Sequence, residues 1–243
     1  MIEYNFYIFN IFVASMNIKG GHILILLSGI LLLTACKKSS ELQNQQGEII
    51  YNITYLQNEL EKFTTDLLPK KLTIKFKNNN VEMEIDGFFG LFNISNIVNT
   101  KKKSNITYLS VLDKKFYYQG EFNEPAVGFG SISQLKIKPG NNVKEICGYS
   151  AREAFVELPG NDIPVPVYYT TEISVDKPNR TTPYSNINGI LLEFYLDVSK
   201  LKMKLVAEGI YFKDIDNSVF EPKKGYQRIS RQQMEEILDK LME

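Results

Sequence analysis

The stretch from Lys71 to Asp86 constrains this chain more than any other. Leu72, Ile74 and Phe76 alternate with Lys71, Thr73, Lys75 and Lys77; after Asn78-Asn79, Val81, Met83 and Ile85 alternate with Glu82, Glu84 and Asp86. A period of two sends successive side chains to opposite faces of a strand, so the segment reads as half-buried β structure. A two-residue turn at the asparagines opposes Lys77 to Asn80, Phe76 to Val81, Lys75 to Glu82 and Ile74 to Met83. One face is then wholly apolar, and the other carries opposite charges across the ladder, each such pair contributing about 0.2–1 kcal/mol. Asparagine tolerates the positive φ that a type I′ turn demands.

The same period predicts further strands near Glu48–Tyr55, Phe92–Val98, Asn105–Leu112, Lys115–Gln119, Ser133–Lys138, Ala151–Glu157, Val165–Ser174, Ile190–Asp197 and Leu201–Phe212. Connections carry Gly, Asn or Pro, as at Pro139-Gly140-Asn141-Asn142, Pro159-Gly160-Asn161 and Asp176-Lys177-Pro178-Asn179, and a tight turn at Val198-Ser199-Lys200 joins two long strands. Asn58 to Leu68 reads as a short helix stopped before Pro69. At the C-terminus, Ser230 and Gln233 have capping-box spacing, and Met234, Ile237, Leu238 and Leu241 form one apolar stripe. The expected fold is mainly β (α+β): a single strongly curved antiparallel sheet or half-barrel of about eleven strands with a packed C-terminal helix.

Composition narrows the chemistry. Of 243 residues, 28 are basic and 28 acidic, so the chain lacks the cationic surplus of a nucleic-acid binder. A hydrophobic share of 44% and a charged share of 23% exclude disordered and fibrous classes. The one histidine, His22, lies in a segment that reads as a removable leader, which leaves no imidazole for a triad, a general base or a metal.

Ile23 to Leu33 is an uncharged apolar run broken only by Ser28 and Gly29, with Lys19 ahead of it. Eleven residues are too few for a spanning helix, which needs about 20, but suit a signal-peptide core. The run ends in Leu33-Thr34-Ala35-Cys36, which resembles the lipobox of bacterial lipoproteins. The resemblance implies a leader over 1–35, cleavage between Ala35 and Cys36, and lipid on the Cys36 thiol. A membrane helix with an incidental cysteine is the rival reading. Met1 to Ser15 lacks any basic residue, so Met16 is a candidate true start. Residues 36–47 read as lipidated cysteine and polar tether, and 48–243 as the sheet domain with its helix. With Cys36 acylated, Cys147 is the sole remaining thiol and no intramolecular disulfide can form.

Tyr51-Asn-Ile-Thr-Tyr55, Leu67-Leu68-Pro69 and Leu72-Thr-Ile-Lys-Phe-Lys77 follow one another in an order that resembles a group of uncharacterised bacterial lipoproteins. Lys144 to Ala154, Val167 to Ile173 and Asn188 to Phe194 resemble further strand motifs of that group, which often has cysteine where this chain has Ser150. The group in turn looks like relatives of the LolA/LolB lipoprotein carriers. That resemblance implies an incomplete, bent barrel whose concave side is closed by helices and holds acyl chains or another amphiphile.

Gly87-Phe-Phe-Gly-Leu-Phe92 places four large apolar side chains in six residues. Phe88, Phe89, Leu91 and Phe92, with Phe129 of Ala126-Val-Gly-Phe-Gly130, are the candidate ligand or membrane contacts; the plainer reading is hydrophobic turns tucked onto the core. Lys101-Lys102-Lys103 is read as a solvated turn, with anionic headgroups as the alternative. Cys147, between Ile146 and Gly148, is read as a small buried apolar residue. Glu82, Glu84, Asp86, Glu153 and Glu157 are read as alternating charge on exposed strand faces, ahead of a glycosidase-type acid pair.

These features predict a non-enzymatic envelope lipoprotein that needs no cofactor or metal. It would be anchored by its N-terminal lipid on the periplasmic side of the outer membrane, since Lys37 and Lys38 rather than Asp follow Cys36. Its partner would be an acyl chain or other hydrophobic ligand, with no nucleic acid. The alternative is a structural or interaction module of an envelope complex without a small ligand.

Overall fold

The asparagine turn forms as the alternation requires. Asn78 and Asn79 take φ of 49° and 65°, and Lys77, Phe76, Lys75 and Ile74 face Asn80, Val81, Glu82 and Met83 in the expected register. The computed structural model describes residues 46–58, 68–87, 90–129, 135–158, 163–198 and 201–242. The leader, Ala35, Cys36, most of the tether, the interior of the expected helix at 58–68 and the turn residues Ser199 and Lys200 lie outside the described residues.

Twelve strands form one sheet: β1 (Gln46–Asn58), β2 (Lys71–Lys77), β3 (Asn80–Gly87), β4 (Phe92–Asn99), β5 (Ser104–Val111), β6 (Lys114–Gly120), β7 (Ile137–Ile146), β8 (Tyr149–Val156), β9 (Val165–Thr170), β10 (Ile190–Val198), β11 (Leu201–Tyr211) and β12 (Gln227–Arg228). Their order is β12-β6-β5-β4-β3-β2-β1-β11-β10-β9-β8-β7. Two meanders, β1–β6 and β7–β11, are joined where β1 pairs with β11. The sheet is open, with β12 and β7 at its edges. It is not purely antiparallel as expected, because β12 runs parallel to β6. That short strand follows a segment that crosses the outer face, where Ile215 and Phe220 pack on Ile97, Ile106 and Tyr108.

The sheet is bowed. Thr107 on β5 and Leu196 on β10 line one cavity, yet six strand spacings separate those strands, and a flat sheet would hold them about 29 Å apart. The inner face is the apolar one: Leu72, Phe76, Ile49, Tyr51, Leu192 and Leu205 are fully buried there. Among the described residues a single α-helix, α1 (Arg231–Leu241), caps one half, and both halves of its capping box form between Ser230 and Gln233. Its Met234 and Leu238 pack with Leu109 and Val127. Among the described residues, irregular chain packs into the other half. The strand expected to run to Ser174 stops at Thr170, and the segment after it buries Ile173, Val175, Tyr184 and Ile187.

Two expectations on the second meander are corrected. Pro139 to Asn142, read as a connection, lies within β7, where the register with β8 breaks between Pro139 and Val143. Proline is tolerated because β7 is an edge, and Gly140 is needed because a Cβ there would sit 2.5 Å from the Glu153 side chain. Cys147, read as buried, is exposed. It and Gly148 both have positive φ in the two-residue turn between Ile146 and Tyr149. Desolvation and then the Glu208 carboxylate push its thiol pKa up, which leaves it a poor nucleophile.

Several carboxylates of the outer face are held in ion pairs. Lys75 Nζ lies 3.2 Å from both Glu82 and Glu84, and Lys223 Nζ lies 3.1 Å from Glu82. Glu82 and Glu153 are buried rather than exposed, because the chain after β11 and the β7 bulge cover them. Glu193 accepts from Lys144 at 2.5 Å and Lys204 at 2.8 Å. Desolvation alone would raise its pKa, but the two lysines outweigh it and hold the carboxyl below the ordinary range. A depressed folded-state pKa contributes stability above the unfolded value, which is lost as pH falls through the folded value. Glu193→Gln is therefore expected to cost about 1–3 kcal/mol at pH 7, with the gap to the unaltered protein narrowing in urea titrations as the pH is lowered through the acid range. A gap that keeps its size down to the lowest pH at which the fold persists would contradict the assignment.

Candidate functional site

Among the described residues the bowl holds a cavity of about 160 Å³. Leu72, Met83, Ile85, Phe92 and Ile94 form one wall, from β2, β3 and β4, and Leu196, Leu201 and Met203 form the opposite wall, from β10 and β11. Tyr55, Leu68 and Pro69 border it beside β1, while Val127, Phe129, Leu238 and Met242 close it from the helix side. Strand alternation explains the lining: Phe92, Ile94 and Asn96 occupy every second position of β4, opposite Val111, Leu109 and Thr107 of β5.

Three polar side chains reach this surface. The Tyr55 hydroxyl donates to the Pro69 carbonyl at 2.8 Å, and burial pushes its pKa well above the usual phenol range. Asn96 Nδ2 donates to Asn105 Oδ1 at 2.8 Å and to Thr107 Oγ1 at 3.2 Å. Its Oδ1 accepts from Thr181 Oγ1 at 2.8 Å. This node ties β4 and β5 to the irregular segment inside the bowl. No charged side chain lines the cavity among the described residues, and no group of His, Cys, Asp or Glu there could hold a metal. The arrangement can enclose a neutral apolar molecule.

The structure divides the expected contact residues. Phe92 and Phe129 line the cavity. Leu91 is 53% exposed and stands outside it. Phe88 and Phe89 lie outside the described residues. Ala126, Val127 and Phe129 are buried, and all three border the cavity. Lys101, Lys102 and Lys103 are exposed in a turn, and Lys102 pairs with Glu221. Of the carboxylates considered as acids, Glu153 is held low by Asn142 and Tyr168, and Glu157 by Lys136 and Lys138. Those shifts run opposite to what a carboxylic general acid needs. Asn96 and Thr107 were missed, although polar residues at inward positions of otherwise apolar strands were a signal in the sequence.

No family model and no curated protein sequence matches the chain. The fold is similar to that in a solved structure of PNGF-II in a P21 crystal form, with a TM-score of 0.52 and 13% identity over 81% of this chain and 34% of that one. A second crystal form, C2, gives 0.49 and 13% over 81% and 33%. The chain thus spans about a third of the length of the structures it resembles, and at this identity the likeness concerns the fold alone. Among the described residues no helix is long and apolar enough to cross a membrane.

Proposed function

We propose that this protein is a membrane-anchored envelope lipoprotein, non-enzymatic, whose bowed sheet shelters a small hydrophobic ligand as the half-barrel of a LolA/LolB-like carrier would. The observation that carries the reading is the apolar cavity of about 160 Å³ between the inner face, the helix and the 126–129 turn. A designed cavity of about 150 Å³ lined by Leu, Ile and Phe stays dry and takes up benzene, so such a room suits a ring or a short stretch of acyl chain. Removing apolar ligand surface from water, at about 25 cal/mol per Å², supplies the driving force without any catalytic group. The anchor rests on Leu33-Thr34-Ala35-Cys36, and the outer-membrane, periplasmic placement on Lys37 and Lys38 after the cysteine.

Native mass spectrometry of the protein purified from cells, joined to displacement of a non-polar dye, tests the ligand. A retained small molecule and a displaceable dye are expected; a protein that emerges empty and takes up no dye overturns the reading. Incorporation of a palmitate analogue that disappears in Cys36→Ser tests the anchor. One observation favours the interaction module instead. Leu91 and the 67%-exposed Leu112 stand on adjacent turns joined by a 2.7 Å bond from the Leu112 amide to the Leu91 carbonyl. That module would give crosslinks that Leu91→Ser and Leu112→Ser abolish, with no small ligand in the spectrum.

A further inference from the structure

Of the three polar side chains on the cavity surface, Thr107 is the one whose hydrogen bonds do not balance among the described residues. Thr107 sits on β5 opposite Asn96 and is 2% exposed. Its Oγ1 accepts from Asn96 Nδ2 at 3.2 Å and from the Val127 amide at 3.4 Å. Both lone pairs are thereby used, and a hydroxyl also carries one proton to donate. Among the described residues no acceptor takes that proton. The donors of the other two polar side chains of the lining are taken: the Tyr55 hydroxyl gives its proton to the Pro69 carbonyl, and the Asn96 amide gives its protons to Asn105, Thr107 and the Ile106 carbonyl. A buried donor left without an acceptor is costly, and native structures avoid it.

We propose that the Thr107 hydroxyl is the polar anchor of the cavity, and that it selects a small neutral apolar ligand carrying one hydrogen-bond-accepting oxygen, a ketone, ester or ether, at its buried end. The inference rests on the reading that the cavity holds a ligand. It adds a chemical class that apolar lining alone does not specify. An amine or amide N–H at the buried end would set a second donor against the Thr107 proton and leave that proton unpaired, and an ionised carboxylate would enter an apolar room whose lining, among the described residues, holds no cation. A pure hydrocarbon would fill the space and leave the threonine proton unpaired. The oxygen-bearing ligand alone satisfies both surfaces.

The test uses two probes of nearly the same shape, acetophenone and isopropylbenzene, titrated into the full chain by NMR, with benzoate as a charged third. Both neutral probes are expected to bind the unaltered protein and benzoate to bind at least tenfold more weakly than acetophenone. In Thr107→Val, which keeps the branched shape and loses the hydroxyl, acetophenone affinity falls about fivefold, the loss of one neutral hydrogen bond, while isopropylbenzene affinity holds or improves. Thr107→Ser restores the acetophenone affinity. An independent reading comes from the unaltered protein: hydrogen bonding weakens the carbonyl bond, so bound acetophenone shows its C=O stretch at lower frequency than in a hydrocarbon solvent. If both probes bind but the stretch matches the hydrocarbon value, or acetophenone affinity ignores the hydroxyl, the anchor is wrong and the ligand-sheltering reading survives. If neither neutral probe binds the unaltered protein, that reading falls and the anchor falls with it.

Discussion

Ile94→Phe is expected to abolish small-molecule uptake and to leave the protein folded. Ile94 lies mid-strand on the inner face, between Ile85 of β3 and Leu109 of β5, and lines the cavity. A phenyl ring there occupies the space a ligand would use. Dye or probe binding should weaken more than tenfold. Cavity filling commonly adds about 0.5–2 kcal/mol of stability, which for a domain of this size raises Tm by about 2–6 °C. Titration and thermal unfolding of the same preparation separate the outcomes. Unchanged binding would place the ligand elsewhere; a Tm several degrees lower would mean the ring does not fit and the room is smaller than described.

The second large effect concerns the seam between the two meanders. Leu205 is fully buried on β11, opposite Ile53 of β1 and Phe194 of β10. Leu205→Ala should cost about 2–5 kcal/mol, the range for a buried leucine whose surroundings relax only in part, and lower Tm by roughly 5–15 °C. The matched control is Leu112→Ala at an exposed turn, expected within about 0.5 kcal/mol of the unaltered protein. A small effect at Leu205 would show that β1 and β11 do not hold the halves together. Their pairing joins residues as distant in sequence as Glu48 and Tyr211, and such non-local closure is costly in chain entropy, so the seam should also form late in folding.

Several parts of this architecture were legible residue by residue. The alternation around Asn78-Asn79 predicts a face, a register and a turn type, and all three appear. Ser230 and Gln233 cap a helix whose Met234 and Leu238 are buried, as their spacing implies. Other parts misled. Pro139 and Gly140 are read as a connection because their local chemistry punctuates chains, yet an edge strand with a bulge accommodates both. Cys147 between an isoleucine and a glycine looks like core, but with Gly148 it forms the turn itself. The segment from Glu172 to Ile187 has enough β-branched and aromatic residues to read in part as strand, and it instead folds into the bowl, where Asn179 Nδ2 donates to the carbonyls of Ile187 and Gly189 at 2.9 Å each.

The amino-acid order by itself determined most of the strands, their inward and outward faces, one full hairpin register and the terminal helix. Side-chain alternation, turn chemistry and capping act between residues only a few positions apart, so each is written locally. Tertiary structure alone decided that β11 returns to lie beside β1, that the described irregular chain after β9 packs into the concavity, and that Thr107 faces a cavity. Those outcomes depend on which distant surfaces exclude water together once the sheet bends, and no run of neighbouring residues encodes that geometry.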